Sequence, residues 1–307
     1  MYRIGAAALV VAAALACTSA TPQAQRPAAA ATSSFDGARA WRHLEQMVAI
    51  GPRPSGSAPI RQTRAYITRQ LAALGLSVQE QPFTALTPLG PVDMVNLILR
   101  LPGRRPDRIL FTGHYDTKLY QDTVFVGASD GASSAAWLIE MARVLSSQPH
   151  EFTYDFVWLD GEEAVIQWRP GDHTYGSRFY VQSERTANAL SSIRANILVD
   201  MIGDSDLRIR RDQRSTPWLN DVIWSAAKRA GHAETFIDAA TEIDDDHIPF
   251  LEAGVPSVDI IDLDYPAWHT PNDDLKHVSQ KSLQIVGDVL LAALPDIESR
   301  LLSAPLR

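Results

Sequence analysis

Two hydrophobic periods alternate along the chain. Residues 35–50 and 58–74 carry apolar side chains at the three- and four-residue spacing of amphipathic helices. Asp36 stands where an N-cap belongs for the first. Gly51-Pro52-Arg53-Pro54-Ser55-Gly56 breaks it, and Gly75 ends the second. The pattern then changes. Residues 77–83, 94–101 and 108–113 read as strands. Val95, Leu97, Ile98 and Leu99 form so continuous an apolar run that a strand covered on both faces is expected. A helix is predicted over 132–145, a strand over 154–159, a short helix over 176–182 and a buried strand over 195–201. A helix over 216–230 stops at Gly231. A last strand over 257–263 and a long amphipathic helix over 279–302 complete the series. Trp137 lies on a helical face and is assigned to the core.

Strands alternating with helices predict an α/β fold: a single domain with a central, mostly parallel, twisted mixed sheet and helices on both faces. Residues 35–307 contain no internal repeat or linker and read as one catalytic domain. In such folds the loops at the carboxyl ends of the strands carry the site.

The first residues follow another logic. Arg3 precedes an alanine-rich apolar run over 4–16, too short for an ordinary membrane span. Residues 1–16 are therefore expected to be a signal peptide, and the protein to be exported to the periplasm or cell envelope. Ala14-Leu15-Ala16-Cys17 resembles a bacterial lipoprotein cleavage site, and a lipid on Cys17 is the only membrane link expected. The alternative is a cleaved signal whose cysteine merely lies near the cut. Residues 17–34, rich in Ala, Thr, Pro and Gln, read as a flexible tether.

Composition narrows the chemistry. The 307 residues are 46% hydrophobic and 21% charged, as in an ordinary globular protein, and the formal charge of -8 argues against a nucleic-acid partner. Cys17 is the sole cysteine. The domain thus has no disulfide and no thiol, and any metal must be held by His, Asp and Glu.

Such residues gather at strand ends. His114-Tyr115-Asp116 follows 108–113, Asp160-Gly161-Glu162-Glu163 follows 154–159, Asp200 closes 196–199, and Trp268-His269-Thr270 follows the last strand. Asp130 sits in Gly127-Ala128-Ser129-Asp130-Gly131. Each has an ordinary reading: Asp130 as a helix cap, the Glu pair as a solvated surface, His269 as a residue packed beside Trp268. Together they suit a cysteine-less catalytic zinc site, which needs about three protein ligands and an open position. Of the adjacent carboxylates, Glu163 can face the metal while Glu162 moves protons. His173, His232 and His277 are read as surface residues. His247 either packs or orients Asp245, with a structural role favoured. Arg208-Ile209-Arg210-Arg211 is read as a solvated strand edge.

Three stretches carry a family resemblance. They are His114-Tyr115-Asp116-Thr117-Lys118; Asp160-Gly161-Glu162-Glu163-Ala164 through Trp168 to Tyr175-Gly176-Ser177-Arg178; and Asp245-Asp246-His247-Ile248-Pro249-Phe250 through Gly254-Val255-Pro256 to Trp268-His269-Thr270. The chain resembles the zinc aminopeptidase superfamily and, within it, the glutaminyl cyclases, from Phe35 to the C-terminus. The resemblance implies a zinc-aminopeptidase-like fold and one Zn2+ held by Asp130, Glu163 and His269. It makes Glu162 the general acid/base, Asp245 a second catalytic carboxylate, Asp200 a hydrogen-bonded acid nearby, and Trp168 and Trp268 walls of the substrate pocket. Asp116 is expected to orient His114. The implied reaction is cyclisation of the N-terminal glutaminyl residue of a peptide or protein to pyroglutamate, with release of ammonia. The aminopeptidase relatives use His114 and Asp200, with a bridging Asp130, for a second zinc. A dinuclear aminopeptidase that hydrolyses N-terminal residues is therefore the alternative. Animal-type cyclases carry a His in the strand after Gly-Val-Pro, where this chain has Asp259.

Overall fold

A computed structural model describes residues 1–2 and 35–303. Thr32–Arg307 forms one compact unit, and every element below belongs to it. The expected cleavage site, Cys17 and the tether lie outside the described residues.

The helices are α1 (Gly37–Ile50), α2 (Ala58–Ala73), α3 (Ala132–Ser146), α4 (Tyr175–Thr186), α5 (Pro217–Ala230), α6 (Ile248–Glu252) and α7 (Gln280–Ser303). The strands are β1 (Val78–Thr87), β2 (Gly90–Leu101), β3 (Arg108–His114), β4 (Thr153–Leu159), β5 (Ile193–Asp200), β6 (Ile209–Asp212), β7 (Phe236–Thr241) and β8 (Ser257–Ile261). Asp36 caps α1 as its position suggests, accepting from Ala38 N and Arg39 N. Gly231 ends α5 in the left-handed conformation.

Six strands form one mixed sheet in the order β1-β2-β4-β3-β5-β8. β1 and β2 are a hairpin, and β2 joins β4 antiparallel. β4, β3, β5 and β8 run parallel, so the carboxyl ends of four strands share one edge. Alternation along the strands feeds two apolar layers. Ile109, Phe111, Phe156 and Trp158 join the larger core with α1, α3 and α7. Leu110, Val157 and Leu159 face Tyr180 and Val181 of α4 and Phe250 of α6. Helices therefore cover both faces, as the pattern predicts. Trp137 is fully buried, with its ring 5.6 Å from Phe35 and 6.1 Å from Phe111.

Two elements escape the sequence pattern, β7 and α6. β6 and β7 form a separate parallel two-stranded sheet. The β6 arginines are partly exposed there, which fits the solvated edge expected. α6 has only five residues, too few for periodicity to reveal. No helix among the described residues is long and apolar enough to cross a membrane.

Candidate metal centre and pocket

Parallel strands deliver the site residues to one edge. β3 ends at His114, β4 runs into the turn holding Glu162 and Glu163, and β5 ends at Asp200. β8 leads into the loop of Trp268 and His269. Asp130 precedes α3 but does not cap it, since Gly131 occupies the N-cap position without any side-chain bond. His269 adopts a left-handed backbone with φ 55°. For a non-glycine residue this conformation is costly and collects at functional sites.

Asp130, Glu163 and His269 each turn one ligand atom toward a common point. His269 Nε2 lies 3.3 Å from Asp130 Oδ2 and 3.3 Å from Glu163 Oε2. Two ligand atoms about 2.0–2.1 Å from a tetrahedral zinc stand about 3.3 Å apart. Both carboxylate oxygens of Glu163 are buried without a hydrogen-bond partner, and Lys118 Nζ stands 3.6 Å from Oε2 as an ion-pair partner. Such orphaned acceptors are expensive unless a cation meets them. The donor set and the orphaned carboxylate fit zinc.

Electrostatics agree. Burial alone would lower the His269 imidazole, but the Asp130 and Glu163 carboxylates raise it to about 9. Burial pushes Glu163 up, and Asp130 adds to the push. Asp130 itself is raised by burial but held below its usual range by His114 and His269.

A second group joins the first through Asp130. His114 Nε2 lies 3.0 Å from Asp200 Oδ1 and 3.1 Å from Asp130 Oδ1, both hydrogen-bond distances. His114 Nδ1 is 3.3 Å from Asp116 Oδ1, as expected of a residue that orients it. Asp116 does more than that. Its carboxylate also accepts from the backbone N–H groups of Glu162 and Glu163, at 3.2 and 3.3 Å. One side chain therefore sets both His114 and the glutamate turn.

Glu162 and Asp245 are buried beside this centre and line the same cavity of about 420 Å³. Burial holds Glu162 well above the ordinary carboxylate range; His114 opposes the shift, while Asp245 and Glu163 increase it. Asp245 is likewise raised by burial and by Asp200, and its Oδ2 has no hydrogen-bond partner. Trp168 and Trp268, 37% and 42% exposed, line the cavity together with Ile166, Ile243 and Leu263. The indole N–H of Trp168 donates to Asp244 Oδ2 at 3.1 Å.

One expectation is corrected here. His173 is not a surface residue: it is only 4% exposed and stacks on Trp168 with ring centres 4.0 Å apart. Its polar neighbours in sequence disguise a residue that supports the pocket wall. His232 and His277 are partly exposed and pair with Asp288 and Asp274. His247 is fully buried, 3.0 Å from Asp212 and 3.7 Å from Asp259.

Sequence reading also missed the residues that hold the Asp130 loop. The buried Arg53 guanidinium donates to the carbonyls of Tyr115, Val126, Gly127 and Asp130. From the other side Asp273 accepts from the N–H groups of Ser129 and Asp130, at 2.7 and 3.0 Å. Nothing local in a Pro-Arg-Pro turn announces a clamp on residues over sixty positions away.

Residues 96–294 match peptidase family M28. The chain belongs to that family. Within it, the likeness is to glutaminyl cyclases. A mouse glutaminyl-peptide cyclotransferase-like protein is 30% identical over 293 residues, covering 85% of this chain and 76% of that protein. The crystal structure of an Acidobacteriales bacterium glutaminyl cyclase is 38% identical with a TM-score of 0.84, covering 92% of this chain and 100% of that one. A leucine aminopeptidase precursor from Bacteroides thetaiotaomicron is 28% identical with a TM-score of 0.78, covering 84% and 96%.

Proposed function

We propose that this chain is a zinc-dependent glutaminyl cyclase, which converts an N-terminal glutaminyl residue of a peptide or protein to pyroglutamate and releases ammonia. The reading is carried by one arrangement: the zinc-shaped triad Asp130, Glu163 and His269 faces a pocket that holds Glu162 and Asp245 beside two tryptophans.

Zinc held by Asp130, Glu163 and His269 would supply a Lewis acid for the γ-carbonyl of glutamine. Glu162 takes a proton from the α-amine as its nitrogen bonds to the side-chain carbonyl carbon Cδ, and returns it to the departing amide nitrogen, so ammonia leaves neutral. The burial that raises Glu162 makes its carboxylate a stronger base for the amine proton. Asp245 offers its unpartnered Oδ2 to the amide nitrogen while its bond to the carbonyl carbon Cδ breaks. Trp168 and Trp268 narrow the mouth and favour the folded-back side chain that ring closure requires. Water is not a reactant, so one metal suffices.

The alternative is a dinuclear aminopeptidase. It draws on the second potential ligand group, His114, Asp130 and Asp200, which shares Asp130 with the first. The 3.0 and 3.1 Å spacings around His114 Nε2 favour direct hydrogen bonds over an intervening ion. Incubation with a Gln-initiated peptide and with a Leu-initiated chromogenic amide separates the two. The cyclase reading expects ammonia without peptide-bond cleavage, and about one zinc per chain. Released amino acid and about two zincs would replace it with the aminopeptidase.

Export to the periplasm or cell envelope is part of the proposal. It rests on the signal-like residues 1–16 and on Cys17 as a lipid-bearing residue. Cell fractionation, with fatty-acid labelling of wild type and Cys17→Ser, tests it.

A further inference from the structure

We propose that Asp212 is a positioning residue for Asp245: the Asp212–His247 pair holds both ends of the loop on which Asp245 stands. This rests on the cyclase reading for the role of Asp245.

Asp212 is the last residue of β6, fully buried, and outside the cavity lining. Its two carboxylate oxygens grip opposite ends of one short segment. Oδ1 accepts from the backbone N–H of Ile243 at 3.0 Å. Oδ2 lies 3.0 Å from Nε2 of His247, an ion-pair contact rather than a hydrogen bond, since Nε2 has no hydrogen-bond partner. Asp245 is midway between these two residues, so its backbone is fastened two residues before and two residues after. The rest of the Asp212 carboxylate is engaged as well. Arg214 N donates to Oδ1, and Ser215 N and Oγ donate to Oδ2. Ser215 Oγ in turn accepts from the backbone N–H of Asp259, which ties the clamp to β8.

Beside this clamp, Ser177 Oγ donates to Asp246 Oδ1 and Ile248 N donates to the Asp245 carbonyl. Asp245 Oδ1 accepts only from its neighbour Asp246 N, and Oδ2 has no partner. Asp200, Asp246 and Asp259 are carboxylates that repel it. A buried acid among acids stays aimed at the pocket only if its backbone is fixed. Asp212 and His247 provide that fixing from a fully buried position.

The test is a double-mutant cycle on the zinc-loaded full chain. Asp212→Asn keeps the shape but turns one acceptor into a donor facing Ser215 N–H. Misplacing a reacting group by about 1 Å can cost about 100-fold, so kcat on a Gln-initiated peptide is expected to fall about 10- to 100-fold. Zinc content should stay at the wild-type level, because Asp130, Glu163 and His269 stand on other elements. In an Asp245→Asn background the same substitution should change kcat by less than about threefold, since coupled residues are not additive. An equal fall in both backgrounds, an unchanged kcat, or loss of zinc would overturn the proposal. Should Asp212→Asn fail to fold, His247→Asn opens one end of the clamp alone and must show the same coupling. Collapse of both variants would mean that the pair serves the fold, not Asp245. A wild type that makes no pyroglutamate would sink the cyclase reading separately, and the cycle would then be read on leucine release.

Discussion

His269 Nε2 stands 3.3 Å from Glu163 Oε2, and neither oxygen of that buried carboxylate has a hydrogen-bond partner. A histidine and a glutamate so placed are organised for a third party. Losing an outer partner of a metal ligand costs about 10- to 100-fold in affinity, and losing a ligand should cost more. His269→Ala is therefore expected to weaken zinc binding by over about 100-fold in chelator competition. Full zinc occupancy after dialysis would contradict the assignment.

The raised imidazole adds a pH dependence. His269 must be neutral to bind metal, and in the metal-free site it titrates at about 9. Below that pH a proton competes with zinc, so apparent affinity rises with pH toward 9 and levels off above it. Calorimetry in buffers of different ionisation enthalpy should count about one proton released per zinc at pH 7. Zinc uptake without proton release there would remove the competition.

Glu162→Gln keeps the ligand set intact and deletes the proton carrier. General acid–base catalysis contributes about 100- to 10,000-fold, and kcat should fall within that range at normal zinc content. A wild-type rate would take Glu162 out of the mechanism.

Trp168 meets the pocket with one face while His173 and Asp244 hold it in place. Trp168→Ala should raise KM about tenfold, or about 1.4 kcal/mol, with kcat little changed. Trp168→Phe keeps a ring over His173 but loses the bond to Asp244, and should fall between. A kcat effect larger than the KM effect would give the indole a role in the chemistry.

Arg53 satisfies three buried carbonyls and one part-buried one around the Asp130 loop. Hydrogen bonds to a charged group are worth about 1.5–3 kcal/mol each, and orphaned acceptors cost more. Arg53→Met should destabilise the domain by at least about 3 kcal/mol in urea unfolding. A loss under about 1 kcal/mol would show that the loop holds itself.

Much of this protein was legible in its residues. Helices such as α1 and α3 and the buried strands β3, β4 and β5 follow from hydrophobic period and local punctuation, which need only neighbours in sequence. The ten residues singled out for the site, Glu162 and Asp245 among them, do meet at one edge of the sheet. Strand ends in a parallel sheet have no other place to go. Residues whose partners are distant in the chain were not legible. Arg53, Asp212 and Asp273 carry ordinary turn or strand contexts, and His173 sits in a polar stretch yet is buried under an indole. Hydrogen bonds between such remote groups exist only once strands have chosen their order. The sequence by itself determined which chemical groups are present and which local shapes they take. Only the tertiary structure decided the spacing at His269, Glu163 and Asp130, because that spacing belongs to three loops brought together by packing.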